Sequence, residues 1–448
     1  MQAQIELTDF IAAIDLGTSK IAGVVGKKNP DGTLHIYAIE QEPSDSCIKR
    51  GCIQNVDSAT QKVKQLITKL ENQARCKIGK LYVGIGGQSI YSIDNKVSKI
   101  LSEESQITNE LIEDLKAKSM QINVGNKEII DVIPFEYIID GQKTTEPVGV
   151  YGSEIEASHK VIIGRPIIKK NILRMIEKID VEIAGFYISP LASSLVLTEA
   201  EQNLGCILVD FGASTTSVSV YKDNLLRHLC VLPLGGDTIT KDIASLQLLE
   251  NEAEKVKIKF GSANPDIDEN AETQIIKPTS NSVSDIPEIQ LRTLHQIVLC
   301  RSEEIIENIL NQIKLSGLDF SQLRSGFILT GGASALNGLP ELIKRKTDLD
   351  IKFGVFQKKI SFSKNNNISK ELSFSVLLGL LANGEVNCHK EIIIPPKLEE
   401  EIKEAPKPAP VASDPEPIFI DESATPTKKS KIGSLFKAMF ADSDDKID

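Results

Sequence analysis

The chain lacks the usual marks of several protein classes. Its seven cysteines include no C-x-x-C pair, and the nearest two, Cys47 and Cys52, stand five apart. Cys76, Cys206, Cys230 and Cys300 sit in or beside apolar runs, which predicts buried free thiols rather than a disulfide framework. Five scattered histidines show no metal-ligand spacing, which argues against zinc. A basic excess is also missing: 51 Lys and Arg face 62 Asp and Glu, for a net charge of -11. Neutralising phosphates needs the opposite balance, so no nucleic-acid partner is expected. Apolar runs stay well short of the roughly 20 residues that span a bilayer. Glu6 and Asp9 stand where a signal peptide would carry cations, so a cytosolic body is expected. What remains is 448 residues, 41% hydrophobic and 25% charged, enough for two to four well-cored domains.

Against that plain background one pattern occurs twice. Asp15-Leu16-Gly17-Thr18-Ser19-Lys20 and Asp210-Phe211-Gly212-Ala213-Ser214-Thr215 each follow an apolar run and lead into an alternating one. Each reads as a tight hairpin turn whose N–H groups and hydroxyls can close on phosphate oxygens, glycine having no Cβ to hold them off. Asp15 and Asp210 place a carboxylate beside those oxygens, where a hydrated Mg²⁺ finds an anionic partner. Two such turns, one opening each half, predict a duplicated domain that grips a nucleotide from both sides. Two paired glycines extend the pattern. Gly331-Gly332 follows a buried strand, where an adenine or ribose can lie against bare backbone, and Gly235-Gly236 follows Leu232-Pro233-Leu234. Glu254 and Lys257, three apart on one helical face, can bond ribose hydroxyls.

In this order the motifs resemble the actin-like ATPase superfamily, and within it the FtsA family of bacterial cell-division proteins. The likeness runs from about Phe10 to Asn383, most specifically at Ile14–Ile21, Ile133–Gly141 and Ser189–Ser194. It implies an α/β fold: actin-like, ribonuclease H-like duplicated domains around a nucleotide cleft, with an α+β inserted subdomain replacing the usual actin one. The core subdomain 1A spans 1–83, 164–203 and a closing segment 371–394. The insert 1C spans 84–163, subdomain 2A spans 204–236 and 310–370, and 2B spans 237–309. The cofactors implied are ATP and Mg, with Gly17, Thr18, Ser19 and Lys20 on the phosphates and Asp210 with Gly212–Thr215 closing from the other half.

Within those segments the pattern predicts strands at Ile90–Ile93, Ile129–Ile133, Tyr137–Ile139 and Glu154–Ile163. It predicts helices capped by Asp57 or Ser58, and over Asn109–Lys118, Ile168–Ile179, Ile289–Ile313 and Phe374–Asn383. After Ile394 the composition changes. Residues 395–427 hold eight prolines and few large apolar side chains, which predicts a disordered linker. As a flexible coil it would span about 30 Å.

Order returns at 428–441. Ile432, Leu435, Phe436, Met439 and Phe440 fall on one helical face, with Lys428, Lys429, Lys431 and Lys437 supplying charge. A helix this short is marginal in water and needs a surface. Its apolar side chains contribute at most roughly 1.5–3 kcal/mol each, and each Lys about 1 kcal/mol near anionic lipid. This predicts a weak, reversible membrane anchor, as the resemblance also implies.

The resemblance further implies self-association into filaments and capture of the C-terminal peptide of the tubulin-like FtsZ. Arg292 and Arg301, on the matching helix, are candidates to meet its acidic side chains. The expected location is the cytoplasmic face of the inner membrane at the division site. Turnover is expected to be slow or absent. Where chaperone-type relatives carry a glutamate that orients water, this chain has Ser189 before Pro190, and serine is a poor general base. A small-molecule kinase of the sugar type shares the phosphate turns, but it would need an Asp base in a substrate pocket and gives the lysine-studded tail no role. A chaperone would need a substrate domain after the core.

Overall fold

The computed structural model describes residues 7–266, 274–276, 288–363 and 372–390. The expected linker at 395–427 and helix at 428–441 lie outside them.

The first half opens with β1 (Ile11–Leu16), buried on both faces except at Asp15. Such a two-sided apolar run belongs at the centre of a sheet. It forms an antiparallel meander with β2 (Lys20–Lys28) and β3 (Leu34–Pro43). Helix α1 (Val56–Ala74) then lies across the meander and returns the chain to β4 (Lys80–Ile85), parallel to β1. The cap of α1 is Asn55, not Asp57 or Ser58: its Oδ1 accepts the Ser58 N–H at 3.0 Å. Asp57 instead sits in the first turn, where the helix dipole favours an anion.

An insert follows, built from β5 (Tyr91–Gln106), α2 (Asn109–Ser119), β6 (Glu128–Ile139), β7 (Gln142–Thr144) and β8 (Tyr151–Gly164). Strand β5 is 16 residues long, far beyond the expected Ile90–Ile93, because it pairs with β8 almost end to end. The two short strands expected around Pro134 are one. The ladder passes from Ser158↔Glu136 to His159↔Pro134, so Phe135 bulges out beside Pro134, which lacks an N–H. Helix α3 (Pro166–Ile176) and β9 (Glu182–Ile188), beside β4, complete the first half.

The second half repeats the plan. Strands β10 (Cys206–Phe211), β11 (Thr216–Lys222) and β12 (Leu225–Leu232) form the meander. Helices α4 (Gly236–Ala244), α5 (Glu250–Phe260) and α6 (Leu291–Leu315) follow. Helix α6 begins two residues later than expected, because Ile289–Gln290 pairs with Ile275–Ile276 as a short ribbon. Strand β13 (Gly326–Thr330), α7 (Leu339–Thr347) and β14 (Ile351–Phe353) finish the motif. The chain then returns through β15 (Ile360–Phe362), parallel to β3, and α8 (Ser375–Asn383), which packs on β1 and β2.

Strand order shows the duplication directly. The first sheet contains β9-β4-β1-β2-β3 and the second β14-β13-β10-β11-β12, with matching directions. This doubled motif is the actin-like, ribonuclease H-like fold. The period-two alternation of β10 divides two cores: Cys206 and Leu208 join the core of the first half, while Ile207, Val209 and Phe211 join that of the second. The insert does not stand apart. Strand β5 continues the second sheet beyond β12 through the Cys230↔Tyr91 pair, making nine strands in all. All seven cysteines are free, and Cys300, expected to be buried, is exposed on α6.

Candidate functional site

The two sheets bring their first turns face to face. Asp15 is the fifth residue of β1, and Gly17–Ser19 turn the chain into Lys20 and β2. In the second half Asp210 holds the same place in β10, and Gly212–Thr215 lead into β11, with the Gly212 N–H donating to Thr215 O at 2.9 Å. The turns touch. The Ser214 hydroxyl donates to Thr18 Oγ1 at 2.7 Å. Thr18 Oγ1 also accepts the Gly51 N–H at 3.1 Å, and Ser214 Oγ accepts the Arg50 N–H at 3.0 Å. Residues 196 positions apart thus share one hydrogen-bonded cluster.

Behind this cluster stand the two carboxylates. Asp15 and Asp210 are half-buried, each at the same point of its own sheet. Burial pushes the Asp15 carboxyl up to about 6, against the opposing pull of the Lys20 ammonium. Burial and then the charge of Asp15 push Asp210 up to about 7. The charge of Asp15 thus reaches Asp210, and a divalent cation near both would relieve the cost of burying them and that repulsion. Oxygen-only donors of this kind fit a hydrated Mg²⁺. Lys20 reaches Ser373 Oγ at 3.1 Å and lies 3.6 Å over the Phe374 ring, which ties the first turn to the segment entering α8.

The glycine pairs lie against the second turn. Gly236 N–H donates to Gly212 O at 3.1 Å and Asp237 N–H to Ala213 O at 2.6 Å, so the Gly235-Gly236 turn is fastened to the second phosphate turn. Lys257 is buried and fully engaged: its Nζ meets Glu254 Oε2 at 2.6 Å, Thr240 Oγ1 at 2.9 Å and Gly236 O at 3.0 Å. It braces the glycine turn, while Glu254, more open, keeps a side free for a hydroxyl. Gly331 takes φ 85°, and a Cβ there would lie 2.3 Å from Asp210 Oδ1. Among the described residues a Cβ on Gly332 would meet only Ser373 Cβ, at 3.8 Å. A small apolar pocket lies behind these turns, lined by Phe211, Gly235, Gly236, Ser302, Ala333 and Leu336 among others.

Ser189 stands beside this centre. A Cβ on Gly84 would be 2.8 Å from Ser189 Oγ and 3.4 Å from Asp15 Oδ1, so one glycine separates hydroxyl from carboxylate. The residue on the crossing segment is therefore well placed but carries no acid.

Several participants escape sequence reasoning. Arg50 and Gly51 contribute only backbone N–H groups from a turn in which both take positive φ. Gly51 was the one visible sign. Ser302, Ala333 and Leu336 look like ordinary core residues. Ser373 meets Lys20 from 353 positions away, which no local pattern shows.

The two arginines of α6 differ. Arg301 is already filled: its Nε meets Asp242 Oδ2 at 2.5 Å, Nη2 meets Asp242 Oδ1 at 3.1 Å, and Nη1 meets Glu304. It clamps α6 to α4. Arg292 is exposed on the first turn of α6. The membrane residues Ile432, Leu435, Phe436, Met439, Phe440, Lys428, Lys429, Lys431 and Lys437 lie outside the described residues.

Comparison with known proteins agrees with this architecture. Residues 207–379 match the family model "Cell division protein FtsA", and 87–163 match "SHS2 domain inserted in FTSA". A cell division protein FtsA of Porphyromonas gingivalis is 35% identical over 344 residues, 76% of this chain and 71% of the relative. Another, of Neisseria meningitidis, is 30% identical over 377 residues, 83% of this chain and 89% of the relative. Among solved structures, a PilM-PilN type IV pilus biogenesis complex superposes with a TM-score of 0.60 at 16% identity, covering 84% of this chain and 98% of that one, a likeness of fold alone.

Proposed function

The chain belongs to the FtsA family of cell-division proteins, and from that premise we propose that it is an ATP-binding, actin-like filament subunit that ties FtsZ to the membrane. The observation that carries the reading is the meeting of the duplicated turns at Thr18 and Ser214, with Asp15 and Asp210 behind them. Gly17–Ser19 and Gly212–Thr215 would hold the terminal phosphates, Asp15 and Asp210 would hold Mg²⁺ through water, and Glu254, Gly331 and Gly332 would meet the nucleoside. The cation supplies charge neutralisation of the phosphates. The protein's own groups orient and enclose them.

Ser189 gives no general base, so ATP serves to join the halves and turnover is slow. FtsZ's C-terminal peptide is expected on the face that carries Arg292. Arg301, held by Asp242 and Glu304, acts there by keeping α6 in place. The terminal helix would anchor filaments on anionic lipid at the cytoplasmic face of the inner membrane, weakly per copy and firmly in arrays.

Electron microscopy of the full chain with ATP on an anionic lipid monolayer tests the whole proposal, with filaments as the expected result. Calorimetry tests its nucleotide core: absence of Mg-ATP uptake would remove it. Unchanged vesicle binding after Phe436→Asp with Phe440→Asp would remove the anchor alone.

A further inference from the structure

Charge is distributed very unevenly over the first half. Helices α1 and α3 pack side by side on one face of its sheet, while α8 covers β1 and β2 from the other. Residues 56–80 hold six Lys and Arg against two Asp and Glu, and residues 165–180 hold five against two. The two segments together therefore sum to +7 in a chain whose net charge is -11, although Lys62 and Lys69 are paired with Asp45 and Glu42 from outside them.

Helix α3 separates its two sides clearly. Ile168, Ile172, Met175 and Ile176 face the core, and no acidic residue occurs within the helix. The outward side presents Arg165, Lys170 and Arg174, and among the described residues no carboxylate pairs with any of the three. Between them Ile167 is 44% exposed and Leu173 39% exposed. Two large apolar side chains standing among three unpaired cations on the convex back of a helix suit a flat anionic, partly apolar surface.

The end of the described fold points the same way. Lys390 N–H donates to Lys77 O at 2.9 Å, and its ammonium meets Asp180 at 2.5 Å. Lys77 closely follows α1 and Asp180 closely follows α3, so the chain leaves the described fold at the edge of this basic layer, with 58 residues still to come.

We propose that the outward face of α3, with Arg165, Ile167, Lys170, Leu173 and Arg174, is a second lipid-contacting surface that lays the body of the protein against anionic phospholipid. The inference extends the membrane reading above and adds an orientation to it. A terminal anchor alone leaves the body free to turn, whereas a basic face on the body selects which side meets the bilayer.

The test uses the full chain and two kinds of vesicle, phosphatidylcholine alone and phosphatidylcholine with phosphatidylglycerol. Hydrogen exchange of the wild-type chain should slow across residues 165–176 on the anionic vesicles only. Lys170→Glu with Arg174→Glu should weaken co-sedimentation by on the order of 25-fold, at about fivefold per cation, and this loss should shrink as salt rises. A chain with Phe436→Asp and Phe440→Asp should keep a weak anionic-lipid binding that the four-substitution chain loses. The tail variants report on the anchor and the α3 variants on this face, so either can fail alone. Unchanged exchange at 165–176 together with unchanged binding of the α3 variant would overturn the proposal. So would slowed exchange there with an added acidic polypeptide but not with vesicles, which would make the face a protein-docking site.

Discussion

At the scale of single residues, Asp15 and Asp210 set the chemistry of the cleft. Asp210 keeps its proton in the folded protein up to about pH 7, while the unfolded carboxyl loses it near its ordinary value of 3.8. Between those limits the folded state binds the extra proton, so this group's contribution to stability is greatest at low pH and falls as pH rises through about 7. Asp210→Asn should flatten that slope and raise the thermal midpoint of the ligand-free protein at pH 8 by a few degrees, as calorimetric melts would show. The same substitution should weaken Mg-ATP binding at least tenfold, because the cation loses an anionic partner. Mg-ATP binding near pH 6.5 should also release protons, giving a binding heat that changes with the ionisation enthalpy of the buffer. A heat independent of buffer would mean that the carboxylates take no part. Gly331→Ala should lose both stability and nucleotide, since the new Cβ meets Asp210 Oδ1 at 2.3 Å in a backbone conformation of φ 85°.

At the scale of elements, α8 shows how tightly the first half is assembled. Glycine inside a helix costs roughly 1 kcal/mol relative to alanine, yet Gly379 sits in the middle of α8. A Cβ there would come within 1.9 Å of Ala192 O, so the helix can approach the segment after β9 only without one. Gly379→Ala should therefore destabilise, by about 1–3 kcal/mol through overpacking. A lower denaturant midpoint at unchanged slope would show it; a gain in stability would mean that the contact is loose. The same contrast explains what the sequence made legible. Asp15-Leu16-Gly17 and Asp210-Phe211-Gly212 are local chemistry, and local chemistry repeats visibly. The buried face of α1 is legible in the spacing of Val63, Leu66, Ile67 and Leu70, while its cap is not, because Asn55, Asp57 and Ser58 are all good cap residues. The run around Pro134 read as two strands because a proline normally ends one, and only the partner strand β8 reveals the bulge that admits it. The link from Lys20 to Ser373 and the joining of β5 to β12 depend on tertiary packing, which leaves no periodic trace.

At the scale of the whole molecule, the Thr18–Ser214 contact is the meeting point of two lobes of separate sequence. A ligand that bonds both turns stabilises the folded protein by mass action, about 2.7 kcal/mol at one hundred times its dissociation constant. Thermal melts with and without saturating Mg-ATP should therefore separate, and Thr18→Ala with Ser214→Ala should bring them closer together. Equal separation in the variant would show that the nucleotide is held elsewhere.

The insert adds a mechanical consequence. Both of its chain connections belong to the first lobe, at β4 and α3, yet β5 is stitched to the second lobe by the Cys230↔Tyr91 pair, by Leu229 N–H to Ser92 Oγ at 2.9 Å and by Val231 N–H to Ile90 O at 2.9 Å. Strand β12, which carries those stitches, runs directly on to Gly235 and Gly236. The insert is thus a strap buckled across the two lobes. Any swing of one lobe against the other must either tug on that buckle or carry the insert along, so a partner that grasps the strap also has a hand on the cleft.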